Sequence, residues 1–465
     1  MADPEARRAT VSASNEGQAP SRARARRGAA VSLAALAIIA AACGGTTATT
    51  APSVAAPSVA GPSVVTPSVA AGGGSVTLGS NASDAVPKAA LAAMAASCTA
   101  STGVQITINT TDHGKFQDSI SSYLQGTPDD IFTWFAGYRM RFFAAQGLST
   151  DVSDVWSKIG GDFSAAFKAA STGDDGKQYF VPNYNYPWVV IYRKALWAAK
   201  GYQVPKTLDD LTALATKMKA DGITPIAFAD KDGWPAMGTF DILNMRTNGY
   251  QFHVDLMAGK QKWTDPKVKT VFETWRKLLP FYQSGALGLT WQEAAQAMVA
   301  QTAGMYFLGT FAGQQATNPA DAADLAFFPF PTLGTAYDAE GGIDAPIDGF
   351  MLTKAPKDLA AAKKVMECFG GAAAQAAYIK LDPNDVSANS KVDTSGYNAF
   401  QKSSQDIISK STAIAQFLDR DTRPDFAGPN YMQAYLQSFL KTPDQDLDKF
   451  LANIQTNYDS LPPVQ

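Results

Sequence analysis

From Ser75 onward the chain alternates segments of strand and helix character, and this order constrains its fold more than any other feature. Ser75-Val76-Thr77-Leu78 reads as a short strand and Asp84 to Thr99 as an Ala-rich helix. Val104-Gln105-Ile106-Thr107-Ile108 alternates with the period of a strand, Gly114 to Leu124 reads as a helix, and Asp130 to Trp134 as a strand. Strands separated by helices are joined by crossovers, which gives a parallel sheet covered by helices. Such a sheet leaves its ligand crevice outside the carboxyl ends of its strands. The pattern continues with strands at Trp188 to Tyr192, Thr224 to Ala229, Gly304 to Leu308, Leu325 to Phe330 and Phe350 to Thr353. Thr207 is placed to cap a helix with Asp210 three residues on, and Asp265-Pro266 opens a helix over Lys267 to Ser284.

The stretch before Ser75 has another character. Arg7, Arg8, Arg22, Arg24, Arg26 and Arg27 outweigh Asp3, Glu5 and Glu16, and an apolar run from Gly28 to Ala42 follows. A run of about 15 residues is too short to span a bilayer as a helix. A positive flank, a short apolar run and small residues at its end make residues 1–42 a signal peptide. The run ends Ala40-Ala41-Ala42-Cys43-Gly44-Gly45. This resembles a bacterial lipobox, with Cys43 as the lipidated residue, although Ala40 stands where a branched residue is usual. The alternative is an ordinary cleaved signal with an incidental cysteine. Residues 43–74 then form a tether. Pro-Ser-Val recurs at Pro52, Pro57, Pro62 and Pro67, and prolines so spaced block both helix and sheet ladders.

The composition of the whole chain excludes several classes of function. Lys plus Arg number 39 against 42 Asp plus Glu, for a net charge of -3, so no excess of basic residues is available for nucleic acid. Two histidines and three cysteines leave no ligands for a His-rich zinc site or a four-cysteine cluster, and no metal or cofactor is implied. Cys98 and Cys368 either pair in an oxidising compartment or stay as two buried thiols.

Catalytic motifs are missing too. Gly173-Asp174-Asp175-Gly176-Lys177 lacks phosphate-loop spacing, and neither G-x-S-x-G nor H-E-x-x-H occurs. His113 and His253 are single histidines of the kind that ordinarily serve as hydrogen-bonding residues. Carboxylates are numerous enough that a tethered glycoside hydrolase with a pair of acids is the rival reading. Aromatics make up 11% of the chain and collect beside polar residues, as in Trp134 to Arg139, Tyr184 to Trp188, Asp232-Gly233-Trp234 and Asp348-Gly349-Phe350. Aromatic plates suit the C–H faces of sugar rings, and Asp, Asn and Arg suit their hydroxyls. Most aromatics in any such chain are nevertheless core.

Several blocks share the order and spacing of a known family. These are Pro128 to Trp134 followed by Ala144 to Leu148, Asp175 to Pro182 followed by Val190 to Lys194, Gly201 to Thr207, Ala294 to Met298 followed by Gly304 to Phe311, and Phe328 to Pro331. Through them the whole body from Ser75 to Gln465 resembles the extracellular solute-binding proteins of ABC importers, in the carbohydrate-binding branch that includes maltose-binding protein. Arg193 and Phe311 stand where that family usually has Asn and Trp.

The resemblance implies an α/β, two-lobe, periplasmic-binding-protein-like fold (type II). Residues 75–185 plus 348–390 would form one lobe and 186–347 plus 391–465 the other, with crossings near Asn183 to Trp188, Pro346 to Leu352 and Asp385 to Ser395. It implies a monomeric, non-catalytic receptor that closes on a mono- or oligosaccharide and delivers it to a membrane permease. The same fold holding a metal complex, peptide or polyamine is the other alternative. The site residues it implies are Trp134, Arg139, Tyr186, Trp188, Trp234, Asp241, Phe311, Asp348 and Asp421. Asn81, Asp112 and His113, which follow the first two strands, are added to them. The charges from Gln416 to Asp421, beside Arg423 and Asp425, either return to the cleft or form a surface ion-pair network.

Overall fold

The computed structural model of the protein describes residues 73–462. The export segment 1–42, the lipidation candidate Cys43 and nearly all of the tether lie outside the described residues. Among the described residues no helix is long and apolar enough to cross a membrane. None of their His, Cys, Asp and Glu side chains form a cluster arranged to hold a metal ion.

The strands in chain order are β1 (Ser75–Ser80), β2 (Gln105–Thr110), β3 (Ile131–Phe135), β4 (Val181–Asn185), β5 (Trp188–Arg193) and β6 (Thr224–Ala227), then β7 (Ala303–Gly309), β8 (Leu325–Phe328), β9 (Ile343–Asp344), β10 (Ile347–Leu352), β11 (Val386–Ser387) and β12 (Ile414–Ala415). They form two main sheets, one of six strands in the order β11-β4-β10-β3-β1-β2 and one of four in the order β6-β7-β5-β8. β1 pairs in parallel with β2 and β3, as the strand–helix alternation requires. β10 runs antiparallel to β3 and β4, against a purely parallel expectation. It enters the first sheet from the other lobe through Ala345-Pro346, and that route fixes its direction.

Each sheet organises its own lobe. Along β10, Phe350 and Leu352 join a core with Leu78, Met94 and Phe369, while Met351 joins Phe132, Trp134, Phe143 and Phe180 on the opposite face. This is the period-two alternation of a strand buried on both sides. The four-stranded sheet packs on one thicker core, in which Phe272 meets Phe240, Phe439 and Phe450 at ring-centroid distances of 5.5, 4.8 and 5.2 Å. The chain passes between the sheets at Tyr186-Pro187 and at Ala345-Pro346. It passes again between Tyr397, in the first lobe's core, and Phe400, in the second's.

Local structure departs from the sequence reading at one helix. It begins at Pro266 as expected, with Asp265 accepting from the Lys267 amide at 2.8 Å, but ends at Arg276 rather than Ser284. Pro280 has no amide to donate and disfavours helix at its predecessor, and only a short 3-10 turn over Leu279–Phe281 follows. Cys98 and Cys368 form a disulfide between the helices Ala85–Thr102 and Leu359–Phe369 of the first lobe. The two thiols are therefore paired.

Candidate functional site: a cavity between the lobes

A cavity with room of about 100 Å³ for the centres of water-sized molecules lies where the lobes meet. From the first lobe, Asn81 follows β1, His113 opens the helix after β2, and Phe135 ends β3. These are the carboxyl ends of parallel strands, where an open α/β sheet places its ligands. Tyr184 of β4, Asp348 of β10 and Asp385, just before β11, complete that wall. The second lobe supplies Tyr186, Trp188, Trp234, Trp291, Phe311 and Phe417, with Asp419 and Arg420 at its edge.

The aromatic wall is built in contact. Trp188 stacks on Phe417 at 4.8 Å with an interplanar angle of 26°. Phe311 meets Trp291 edge-on at 5.1 Å and Tyr186 edge-on at 5.1 Å. Phe417 holds a backbone φ of +100°, a strained value for a bulky side chain. The turn it makes carries Asp419 and Arg420 to the cavity. Gly137 permits the approach: its φ is +79°, and a Cβ there would stand 3.1 Å from the Arg420 carbonyl oxygen.

Charged groups meet across the lobes. Arg420 Nη1 donates to Asp348 Oδ1 at 2.6 Å and Nη2 to the Tyr186 hydroxyl at 3.0 Å. Its guanidinium lies 4.0 Å from the Phe135 ring centroid. Tyr184 donates its hydroxyl to the other Asp348 oxygen at 3.1 Å. Arg139 Nη1 donates to Asp419 at 3.0 Å and to Gln117 at 2.7 Å. Burial works against the Arg420 charge, but Asp348, Tyr186 and Asp419 together outweigh it and hold the guanidinium more firmly protonated than usual. Burial lowers the His113 pKa, favouring the neutral imidazole, and raises those of Tyr184 and Tyr186 well above the usual phenol value. At neutral pH the cavity therefore presents hydroxyls, a neutral imidazole and an arginine–carboxylate pair, a set able to donate and accept hydrogen bonds.

Of the residues singled out from sequence, Asn81, His113, Tyr186, Trp188, Trp234, Phe311 and Asp348 meet at this cavity. Five lie elsewhere. Trp134 is 1% exposed and packs in the core against Phe135 at 5.0 Å, and of the two only Phe135 also lines the cavity. Arg139 sits one layer behind, against Asp419. Asp241 is fully buried in the helix Pro235–Asn248 and accepts from the Leu418 amide at 2.7 Å. Asp421 accepts from the Gln416 amide at 2.8 Å. Asp112 caps the helix His113–Gln125 by accepting from the Lys115 amide at 3.1 Å. The charged stretch near residue 420 divides: Asp419 and Arg420 face the cavity, while Arg423 and Asp425 pair with each other at 2.6 Å.

Sequence reasoning missed Tyr184, Trp291, Asp385 and Phe417 as individual site residues. Tyr184 is part of the aromatic–polar cluster Tyr184 to Trp188, and Phe417 of the Gln416 to Asp421 stretch. Trp291 follows the capping-box threonine Thr290 and reads as an ordinary first-turn residue. Asp385 carries no local signal.

Two lobes with an aromatic and polar cavity between them are the architecture of a solute receptor. Residues 79–376 match the bacterial extracellular solute-binding protein family, and the chain belongs to it. An uncharacterised ABC transporter extracellular-binding protein of Pyrococcus horikoshii is 28% identical over 55% of this chain and 57% of its own length. The diacetylchitobiose binding protein of Streptomyces coelicolor is 28% identical over 50% of this chain and 54% of its own. The chain thus spans about half the length of these curated relatives. Among solved structures, the bacterial solute receptor AcbH, described by an exclusive preference for β-D-galactopyranose, is 48% identical with a TM-score of 0.81. The match covers 84% of this chain and 99% of AcbH.

Proposed function

We propose that the protein is an extracytoplasmic receptor that closes on one neutral pyranose of the galactose class and delivers it, unchanged, to an ABC permease. One observation carries this reading: a cavity between the lobes that combines an aromatic wall with hydrogen-bonding groups. A room of about 100 Å³ corresponds to roughly seven to ten waters, a single sugar ring rather than a chain. AcbH, with its preference for galactopyranose, supports the ligand class. One lobe of this receptor comprises residues 75–185 plus 348–397 and the other 186–347 plus 398–465, the last crossing falling after Tyr397 and not at residue 390 as the sequence reading has it. The receptor acts as a monomer, held to the outer membrane face by lipid on Cys43 and spaced from it by the Pro-Ser-Val tether.

Calorimetric titration with galactose, glucose and their disaccharides tests the ligand. Tight one-to-one binding of a monosaccharide, with the sugar recovered intact, is expected. Binding of disaccharides alone overturns the ligand class, and release of a hydrolysed product overturns the receptor reading in favour of a hydrolase. Cys43→Ser tests the anchor, since it is expected to free the protein from the membrane fraction.

A further inference from the structure

Resting on that reading, we infer that Asp385 is the residue that reads one particular hydroxyl of the bound sugar and so sets which epimer the cavity accepts. The side chain is 1% exposed, it lines the cavity, and neither carboxyl oxygen has a hydrogen-bond partner among the described residues. A buried carboxyl left this way is destabilising unless something supplies its bonds. Even a proton shared with the nearby Asp382 satisfies one oxygen and leaves the other open. Asp348 accepts at both oxygens, from Arg420 and Tyr184, and Asp419 accepts from Arg139 at one oxygen with its other open. Asp385 alone of the three has no hydrogen-bond partner at either oxygen among the described residues.

The position is rigid. The Asp385 carbonyl accepts from Gln401 Nε2 at 3.1 Å, and Val386 and Ser387 pair with β4. Asp382 is fixed in turn, accepting from Gln314 Nε2 at 2.7 Å and from Asn384 Nδ2 at 3.0 Å. Burial first, and then the charges of Asp382 and Asp348, push the Asp385 carboxyl well above the ordinary range. A neutral carboxyl both donates and accepts, which matches a sugar hydroxyl that does the same. A site built around one such bond rejects a ligand lacking it far more strongly than an apolar pocket rejects a change of shape.

The test titrates the wild type, Asp385→Asn and Asp385→Ala with galactose, its epimers and the set of deoxygalactoses that each lack one hydroxyl. The wild type is expected to lose roughly 100-fold or more in affinity for one deoxy sugar in particular. Asp385→Ala is expected to lose as much for galactose but to bind that one deoxy sugar about as well as the wild type does. Asp385→Asn, which keeps a donor and an acceptor, should lie between. Equal losses across all the deoxy sugars, or galactose binding unchanged in Asp385→Ala, overturn the inference while the receptor reading stands. A wild type that binds no sugar overturns both. Melting temperatures identify a variant that has failed to fold, and in that case Asp385→Asn decides by the same comparison of deoxy sugars.

Discussion

Across the cavity the first lobe presents Asn81, His113, Asp348 and Asp385 beside Phe135 and Tyr184, set on strands, their ends and a helix start, whereas the second is mainly aromatic, with Trp188, Trp234, Trp291, Phe311 and Phe417 beside Tyr186, Asp419 and Arg420. The interiors behind these walls differ as well. The six-stranded sheet divides the first lobe into two thinner cores, with a disulfide beside one of them. The second lobe has a single core that runs without a break into its cavity wall, since Trp188 and Phe417 belong to both. Polar groups of the first wall can therefore be changed with little effect on packing, while changes to the innermost aromatics of the second affect stability and binding together. The largest expected effect follows from this coupling. Trp188→Ala should cost about 3–5 kcal/mol of unfolding free energy, measured by urea titration, and weaken sugar binding at the same time. A variant that loses binding but keeps wild-type stability breaks the comparison.

The first lobe supplies the converse case. Replacing both Cys98 and Cys368 by serine opens a loop of sequence separation 270. The expected loss is about 2–4 kcal/mol, read as a lower urea midpoint than the oxidised wild type. Cys98 lies about three helical turns along its helix from Pro87, which lines the cavity, and neither cysteine reaches the cavity, so sugar affinity in the folded protein should be unchanged. A fall in affinity beyond about twofold would show that this lobe also couples its core to the cavity.

How far the sequence reveals this arrangement differs between the two walls. Strand–helix alternation marks the ends of β1 and β2, and Asn81 and His113 follow from it. Aromatics beside polar residues mark Tyr186, Trp188 and Trp234. Trp134 and Phe135 are both buried in one core, and only Phe135, the last residue of its strand, also reaches the cavity, a one-residue difference that no sequence pattern marks. Asp241 shows the other limit. Its helix, Pro235–Asn248, is buried on nearly all sides, so no polar face signals where a carboxylate points. Asp385 is brought to the cavity by the return of the chain to β4, a long-range pairing with no local trace in the sequence. The pairing of Cys98 with Cys368 depends likewise on two helices being neighbours.

Behind the second wall lie acidic groups that sharpen the comparison through pH. Burial lifts the Asp421 carboxyl from an ordinary 3.8 to about 6, despite the Gln416 amide that favours its charge. Between these values the folded state holds a proton that the unfolded chain has released, so the loss of stability is absent below about pH 4, builds as pH rises and is full above about pH 6. Asp421→Asn removes the titration and keeps an acceptor for the Gln416 amide. It should raise unfolding free energy at pH 7 by about 1–3 kcal/mol and leave it unchanged near pH 4. An equal effect at both pH values would mean that the carboxyl does not titrate between them, and the cost of the second wall would have to lie elsewhere.

The smallest effect is expected at Trp234, where wall and core separate within the second lobe itself. Its ring meets Trp188 edge-on at 6.3 Å and Phe311 at 6.1 Å, yet it is only partly buried and faces the outer groove as well as the cavity. An aromatic plate at the rim of a site contributes about 0.5–1.5 kcal/mol beyond its buried area, so Trp234→Ala should weaken sugar binding by roughly threefold to tenfold. Its stability cost should be well below that of Trp188→Ala, because the exposed side of the ring leaves no enclosed void when removed. Trp234→Phe, which keeps a plate but shortens it, should recover part of the affinity. A stability loss as large as that of Trp188→Ala would place Trp234 in the core, and the aromatic wall would then have no member that serves the ligand alone.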